Sequence, residues 1–165
     1  MTIGSAVRYL ACVVLCAGLA LGAQAGTPEE DATLGLIRDQ FKDVDLRRVI
    51  QVSGAMKLDE HSAKRFWPIY RAYLLEVVAL RDRQLETLAE YARQLNAGWI
   101  DDLTARTSLE RSLALEQARV GARHHMIRRA GEVITPIQAL RLHQLELAMD
   151  ASMSSRALQQ IPLAK

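Results

Sequence analysis

The sequence KLDEHSAKRFWPIYRAYLLEVVALRDRQLETLAEYARQL, residues 57–95, decides the fold of this chain. It contains no glycine, and its apolar residues recur at steps of three and four, the spacing of one helix face. One apolar face comprises Phe66, Tyr70, Tyr73, Val77 and Leu80. A second strip beside it comprises Trp67, Leu74, Val78, Leu85, Leu88, Ala92 and Leu95. Because a helix apolar over so wide an arc has to pack against other helices or a partner chain, these residues predict one long, mostly buried helix.

The first 25 residues have the composition of a secretory signal peptide. Arg8 is the only charged side chain before residue 29, and residues 9–22 are an almost unbroken apolar run. Ala23 and Ala25 supply the small residues that a signal peptidase recognises, so we predict cleavage after Ala25. A membrane anchor is the alternative, but the run is short for a membrane span and no basic cluster follows it.

The composition of residues 26–165 limits what this part of the chain can do. Both cysteines, Cys12 and Cys16, lie in the predicted signal peptide, so the exported chain would have no disulfide and no thiol chemistry. Without Arg8 it has 20 Lys and Arg against 19 Asp and Glu, which is not the concentrated basic surface that nucleic-acid binding needs. Its 140 residues suit a single domain with a real core.

Two further helices are predicted on either side of residues 57–95. Between about residues 32 and 52, apolar residues recur with helical spacing that Asp43 and Asp45 break, which predicts one interrupted helix or two short ones ending at residues 53–55. After a stop at residues 96–98, Asp101 or Asp102 is expected to cap a helix that runs to about Glu132. The apolar line expected on that helix is Leu109, Leu113, Val120, His124, Ile127 and Ile134.

The segment Ile134-Thr135-Pro136-Ile137-Gln138 predicts the start of a last helix. Thr135 is a good N-cap, Pro136 fits the first helical position, and Gln138 can close a capping box. This helix should run to about Ala157, with Leu142, Leu145, Met149 and Met153 on one face. No strand-like alternation occurs, so we predict an all-α domain of about four helices, in which the two longest form an antiparallel hairpin. Pro68 predicts a kink in the first of these two.

With Ile134, Thr135, Pro136 and Gln138, the chain resembles the Spy/CpxP superfamily of periplasmic helical proteins, which is named for an LTxxQ motif. The residues Leu58-Asp59-Glu60-His61-Ser62 resemble a second copy in which Asp replaces Thr and the Gln is missing. The resemblance implies a periplasmic location and a bent helical hairpin, often a homodimer. It also implies a non-enzymatic role as an ATP-independent chaperone, an envelope-stress accessory protein or a metal-responsive sensor, with unfolded clients or an envelope protein as partners. The near-neutral charge departs from the basic concave face that the chaperone role uses.

Four aromatic residues are the candidates for protein binding: Phe66, Trp67, Tyr70 and Tyr73. Aromatic residues at helical spacing more often form a core, so packing within the hairpin or in a dimer seam is the competing interpretation. Phe66 and Trp67 point about 100° apart on a helix, so one of the two should be partly exposed. A third interpretation is a structural subunit that docks this aromatic face on a larger envelope assembly.

Three histidines are the candidates for the alternative function, metal binding or sensing. If the third and fourth helices fold back at residues 133–134, then His124 and His143 lie equally far from the turn, with His125 nearby. Two imidazoles and a carboxylate such as Glu146 would suit zinc or copper. No H-x-x-x-H or H-x-x-E-H spacing forces these ligands onto one face, so no metal or cofactor is predicted.

The remaining charged residues suggest a solvated surface. Arg123, Arg128 and Arg129 predict an exposed basic cluster that pairs with Glu132. Contact with anionic lipid headgroups of a membrane surface, or with a carboxylate-rich partner, is the alternative. The sequence has no phosphate-binding loop and no recognisable Ser-His-Asp arrangement, so an enzyme is not expected.

Overall fold

The computed structural model describes residues 45–98 and 100–158, with side chains up to residue 152. This part of the chain forms four helices and no strand, which confirms the predicted all-α fold. They are α1, helical from residue 45 to residue 56, α2 (Glu60–Asn96), α3 (Asp102–Gly131) and α4 (Pro136–Leu158). None of the described helices combines the length and apolarity that crossing a membrane would require. The predicted signal peptide and the C-terminal tail lie outside the described residues.

The two longest helices form the predicted antiparallel hairpin. Glu90 near the end of α2 lines one groove with Leu103 at the start of α3, and Ile69 near the start of α2 lines another with Met126. The turn between the helices contains Gly98 at φ 78°, a conformation that glycine adopts without steric cost. Pro68 lies inside α2, which stays helical on both sides of it, and the kink there stays a prediction.

The helix starts are set by side chains close in sequence, as predicted. Asp59 accepts hydrogen bonds from Ser62 N at 2.8 Å and from Ser62 Oγ at 3.1 Å, and Asp101 accepts one from Thr104 N at 2.8 Å. These bonds lower the pKa of both carboxyls, because they stabilise the charged form.

The capping box that opens α4 also reaches another helix. Thr135 N donates to Gln138 Oε1 at 2.9 Å, and Gln138 N donates to Thr135 Oγ1 at 3.3 Å. Gln138 Nε2 then donates to the carbonyl oxygen of Met56 at 3.5 Å, and Arg141 Nη1 donates to that of Ala55 at 3.2 Å. Two of the carbonyls that the end of α1 leaves unpaired thus find donors on α4.

The prediction that the first helix ends at residues 53–55 is wrong, because α1 continues to Met56. Val52 and Met56 lie one turn apart and are both buried, at 0% and 1% exposure. Burying both side chains is worth several kcal/mol, more than the roughly 1 kcal/mol that Gly54 costs inside a helix. The helix ends after Met56, because the next residue, Lys57, has a left-handed backbone conformation with φ 45°. The predicted interruption near Asp43 and Asp45 stays a prediction, because the described residues begin at Asp45.

The core lies at the end of the hairpin where α1 and α4 pack, which we call the four-helix end (residues 45–81 and 119–150). Its largest fully buried side chains come from all four helices and include Tyr70, Phe66, Met56, Met126 and Leu142. The far part of the hairpin, the distal half (residues 83–96 and 102–115), contributes Ala89 as its one buried apolar residue among those described. The position of this core determines where a site can form.

The apolar line predicted for α3 is wrong over most of its length. Leu109, Leu113 and Val120 are 59%, 55% and 41% exposed, and His124 is also exposed. The face that is buried instead carries Ala122, Arg123, Met126 and Ala130. Two alanines let α2 and α3 approach closely, and the arginine is buried because a carboxylate on α4 pairs with it.

Candidate functional site

A buried polar cluster joins all four helices at the four-helix end. Its centre is Glu146 of α4, which has no solvent exposure. Tyr70 Oη donates to Glu146 Oε1 at 2.7 Å, and Tyr73 Oη donates to Glu146 Oε2 at 2.8 Å. Arg48 Nη2 of α1 lies 3.1 Å from Glu146 Oε2. Both carboxylate oxygens are therefore satisfied by protein donors.

Asp150 supplies the second carboxylate of this cluster, one helical turn after Glu146. It accepts hydrogen bonds from Arg48 Nη2 at 2.6 Å and from Arg123 Nη1 at 2.5 Å, and Arg119 Nη2 lies 3.7 Å away. Two carboxylates thus face two buried guanidiniums, which keeps the buried charge balanced. We call these residues the Glu146 cluster: Arg48, Tyr70, Tyr73, Arg119, Arg123, Glu146 and Asp150.

The cluster fixes the protonation of its tyrosines and of Arg48. Burial, and then the charge of Glu146, raise the pKa of Tyr70 and Tyr73 well above the usual value, so both hydroxyls stay protonated and donate. Burial alone would lower the pKa of Arg48, but the charges of Glu146 and Asp150 outweigh it, and the net pKa is raised. Because Glu146 is fully buried and its oxygens are occupied, the cluster holds helices together and offers no reactive group to a solute.

Sequence reasoning did not find this cluster. It placed Arg123 in an exposed basic cluster with Arg128 and Arg129, and that prediction is wrong for Arg123, which is 8% exposed. It treated Glu146 only as a potential metal ligand. The available signal was that Glu146 lies between Leu142 and Met149 on the apolar face of α4, where a carboxylate requires partners.

Three of the four aromatic candidates for protein binding lie in the core. Phe66, Tyr70 and Tyr73 are 0%, 0% and 3% exposed, and only Trp67 is partly exposed. The ring of Phe66 stacks on that of Tyr70 at 5.6 Å and meets Trp67 edge-on at 5.2 Å between centroids. The burial supports the core interpretation of the aromatic face.

The histidine candidates do not form a metal site with a carboxylate in the described part of the chain. His124 and His125 are exposed on α3, and His143 is half-buried on α4. No group of three or more His, Cys, Asp or Glu side chains converges there in a way that could hold an ion.

A groove of about 860 Å³ runs along the distal half, between residues 83–94 of α2 and residues 103–115 of α3. We call it the distal groove. Its lining mixes hydroxyl groups from Thr104, Thr107 and Ser108 with charged side chains and leucines. It is open to solvent along the hairpin, unlike the enclosed pockets that bind small molecules.

Polar groups on the α2 wall of the distal groove pair with one another. Glu90 accepts hydrogen bonds from Arg93 Nη2 at 2.5 Å and from Gln94 Nε2 at 2.8 Å. Gln94 Oε1 is buried and has no hydrogen-bond partner among the described residues. At the rim, Leu103 is 72% exposed. The groove therefore combines an apolar rim with charges of both signs and hydroxyl groups.

Comparisons with protein-family models, with curated proteins and with solved structures found no match to this chain.

Proposed function

We propose that this protein is a non-catalytic, exported binding protein that holds segments of unfolded polypeptide in its distal groove. The observation that carries the proposal is the groove itself, a solvent-open channel of about 860 Å³ between two helices. A polypeptide segment can lie along such a channel, whereas a small molecule would leave much of its surface in water.

The chemistry of the distal groove suits unfolded chains. Such chains expose backbone N–H groups, apolar side chains and charges of both signs. Leu103 and Leu115 offer apolar contact to such segments, and the hydroxyl groups of Thr104 and Ser108 can exchange hydrogen bonds with a backbone. Arg83 and Glu86 on the α2 wall and Arg111 on the α3 wall give the groove both charges, so no single sequence is selected.

The distribution of stability along the hairpin also favours binding in the distal half. The core and the Glu146 cluster hold the four-helix end, while α2 continues for 15 residues past Arg81, or about 22 Å. An arm of this kind can adjust to different clients without disturbing the core. The predicted signal peptide and the resemblance at residues 134–138 support a periplasmic location for this role.

The proposal is tested by aggregation of an unfolding client in the presence of the mature chain, without ATP. We expect the unmodified chain to suppress aggregation, and the double variant Leu103→Lys, Ala114→Lys to lose most of this activity, because lysines would repel cationic segments and disrupt the apolar wall. The matched control is Leu109→Lys, Leu113→Lys, on the same helix but outside the groove.

Two outcomes would contradict the proposal. The first is no suppression by the unmodified chain at stoichiometric excess. The second is an equal loss in both double variants, since suppression would then come from scattered exposed leucines and not from the groove.

A further inference from the structure

α3 carries an apolar line that the other described helices leave exposed over most of its length. The line comprises Leu109, Leu113, Val120 and Ile127. The first three are exposed, and Ile127 packs at the edge of the core. Thr107 and Arg111, which line the distal groove between α2 and α3, lie about 180° around the helix from this line. The line therefore faces away from α2.

α4 exposes a second, shorter apolar line. Leu140 and Leu147 are 58% and 42% exposed and lie two turns apart on this helix. Gln138 and Arg141 of α4 donate hydrogen bonds to α1, so their side of α4 faces α1. Both leucines lie at least about 100° around the helix from these two residues. The line on α4 therefore faces away from α1.

The two apolar lines lie on one outer face of the bundle. Asp45 of α1 pairs with Arg81 of α2, and Arg123 of α3 pairs with Asp150 of α4. The four helices thus form two layers, one of α1 and α2 and one of α3 and α4. The side of α3 that faces away from α2 and the side of α4 that faces away from α1 are the outside of the second layer. We call this surface the α3–α4 face: Leu109, Leu113, Val120, Ile127, Leu140 and Leu147.

The α3–α4 face is apolar and carries little charge. Glu116 is the one charged residue exposed on this side of α3 between Leu109 and Ile127, and the described part of α4 exposes none on this face. The exposed apolar area of the face is about 500 Å², near the upper end of what monomeric proteins leave uncovered. A standard interface buries about 800 Å² per partner, of which a little over half is apolar. The face thus supplies the apolar area that one side of such an interface needs.

We propose that the α3–α4 face is a homodimer interface, in which it packs against the same face of a second copy. Depletion of charge is typical of the centre of a protein–protein interface, whereas an anionic membrane surface favours an apolar face flanked by lysines and arginines. The ion pair between Arg123 and Asp150 holds α3 against α4 before binding, so association orders few side chains. The distal groove opens on the opposite side of α3 and stays accessible in the dimer. The proposal is thus independent of the proposed function.

The test is sedimentation velocity of the mature full chain. The unmodified chain should form a dimer at about 100 micromolar or below, since interfaces of this size reach micromolar affinity. The double variant Leu140→Glu, Leu147→Glu should raise the dissociation constant at least about 100-fold, because two-fold symmetry places four carboxylates in one apolar interface. The matched control is Leu46→Glu, Ile50→Glu, at two similarly exposed residues of α1. A monomer at every concentration, or equal weakening by both double variants, would overturn the proposal.

A substitution on the other helix keeps the test decisive if the double variant perturbs α4. Val120→Glu on α3 should also weaken the dimer, at least about tenfold, because it adds a charge to the same face. Circular dichroism checks that each variant keeps its helix content, as expected for exposed positions. A dimer that Val120→Glu leaves unchanged would contradict this interface. Sedimentation of a monomeric chain with phosphatidylglycerol vesicles, lost on Leu140→Glu, Leu147→Glu, would assign the face to a membrane and also overturn the proposal.

Discussion

At the four-helix end, α2 and α3 pack against α1 and α4 around buried rings and the Glu146 cluster. In the distal half, the described parts of α2 and α3 have mainly each other and an open groove. The same two helices thus serve as core elements at one end and as the walls of an open groove at the other. This difference shows that helix length alone does not indicate how much of a helix stabilises the fold.

The substitution Glu146→Ala at the four-helix end should cause the largest loss in the free energy of unfolding. It leaves two tyrosine hydroxyls and the Arg48 guanidinium without their shared acceptor, and breaking such a buried pair costs about 3–5 kcal/mol. Urea unfolding measures the loss. The control is Glu110→Ala on the exposed side of α3 in the distal half, where we expect a change within about 0.5 kcal/mol. Similar losses of unfolding free energy in the two variants would contradict the difference between the four-helix end and the distal half.

Alkaline pH should weaken the four-helix end through Tyr70 and Tyr73. Their pKa is raised in the folded state, so above about pH 10 the unfolded chain loses these protons while the folded chain keeps them. The contribution of the two tyrosines to the free energy of unfolding is then fully present below about pH 10. Above that pH the free energy of unfolding falls, by at most about 1.4 kcal/mol per pH unit for each tyrosine. Urea titrations between pH 8 and 11 measure the slope. A double variant, Tyr70→Phe and Tyr73→Phe, should be less stable at neutral pH and show a shallower slope, and an unchanged slope would count against the cluster.

A smaller effect compares two helix caps. Thr135→Ala removes the cap of α4 next to the core and should lower the free energy of unfolding by about 1 kcal/mol. Asp101→Ala removes the cap of α3 at the distal tip, where the helix end can fray without opening the core, so its global loss should be smaller. Hydrogen exchange should instead speed up in the first turn of α3. An equal global loss from both would show that the distal half unfolds together with the core.

Sequence predicted the helix boundaries better than it predicted the buried faces. The starts at Asp59, Asp101 and Thr135 depend on side chains within three residues, so they can be recognised locally. The one misplaced end, at residues 53–55, depends on Val52 and Met56, whose burial needs partners from distant helices.

The buried face of α3 and the Glu146 cluster depend on partners far away along the chain. Arg48 and Asp150 are 102 residues apart, and Tyr70 and Glu146 are 76 apart. Hydrophobic periodicity assigned arginines and carboxylates to the surface. It cannot identify an arginine and a carboxylate that pair with each other in the protein interior.

The hydrogen bond from Gln138 to the carbonyl oxygen of Met56 bears on how the 134–138 motif is recognised in sequences. Within a capping box Glu and Gln are interchangeable, because only an acceptor oxygen is needed. Here the amide nitrogen also donates to α1, and a carboxylate has no hydrogen to give. A sequence with Glu at this position would keep the helix start and lose a link between two helices, so the last residue of the motif carries tertiary information beyond its role in the capping box.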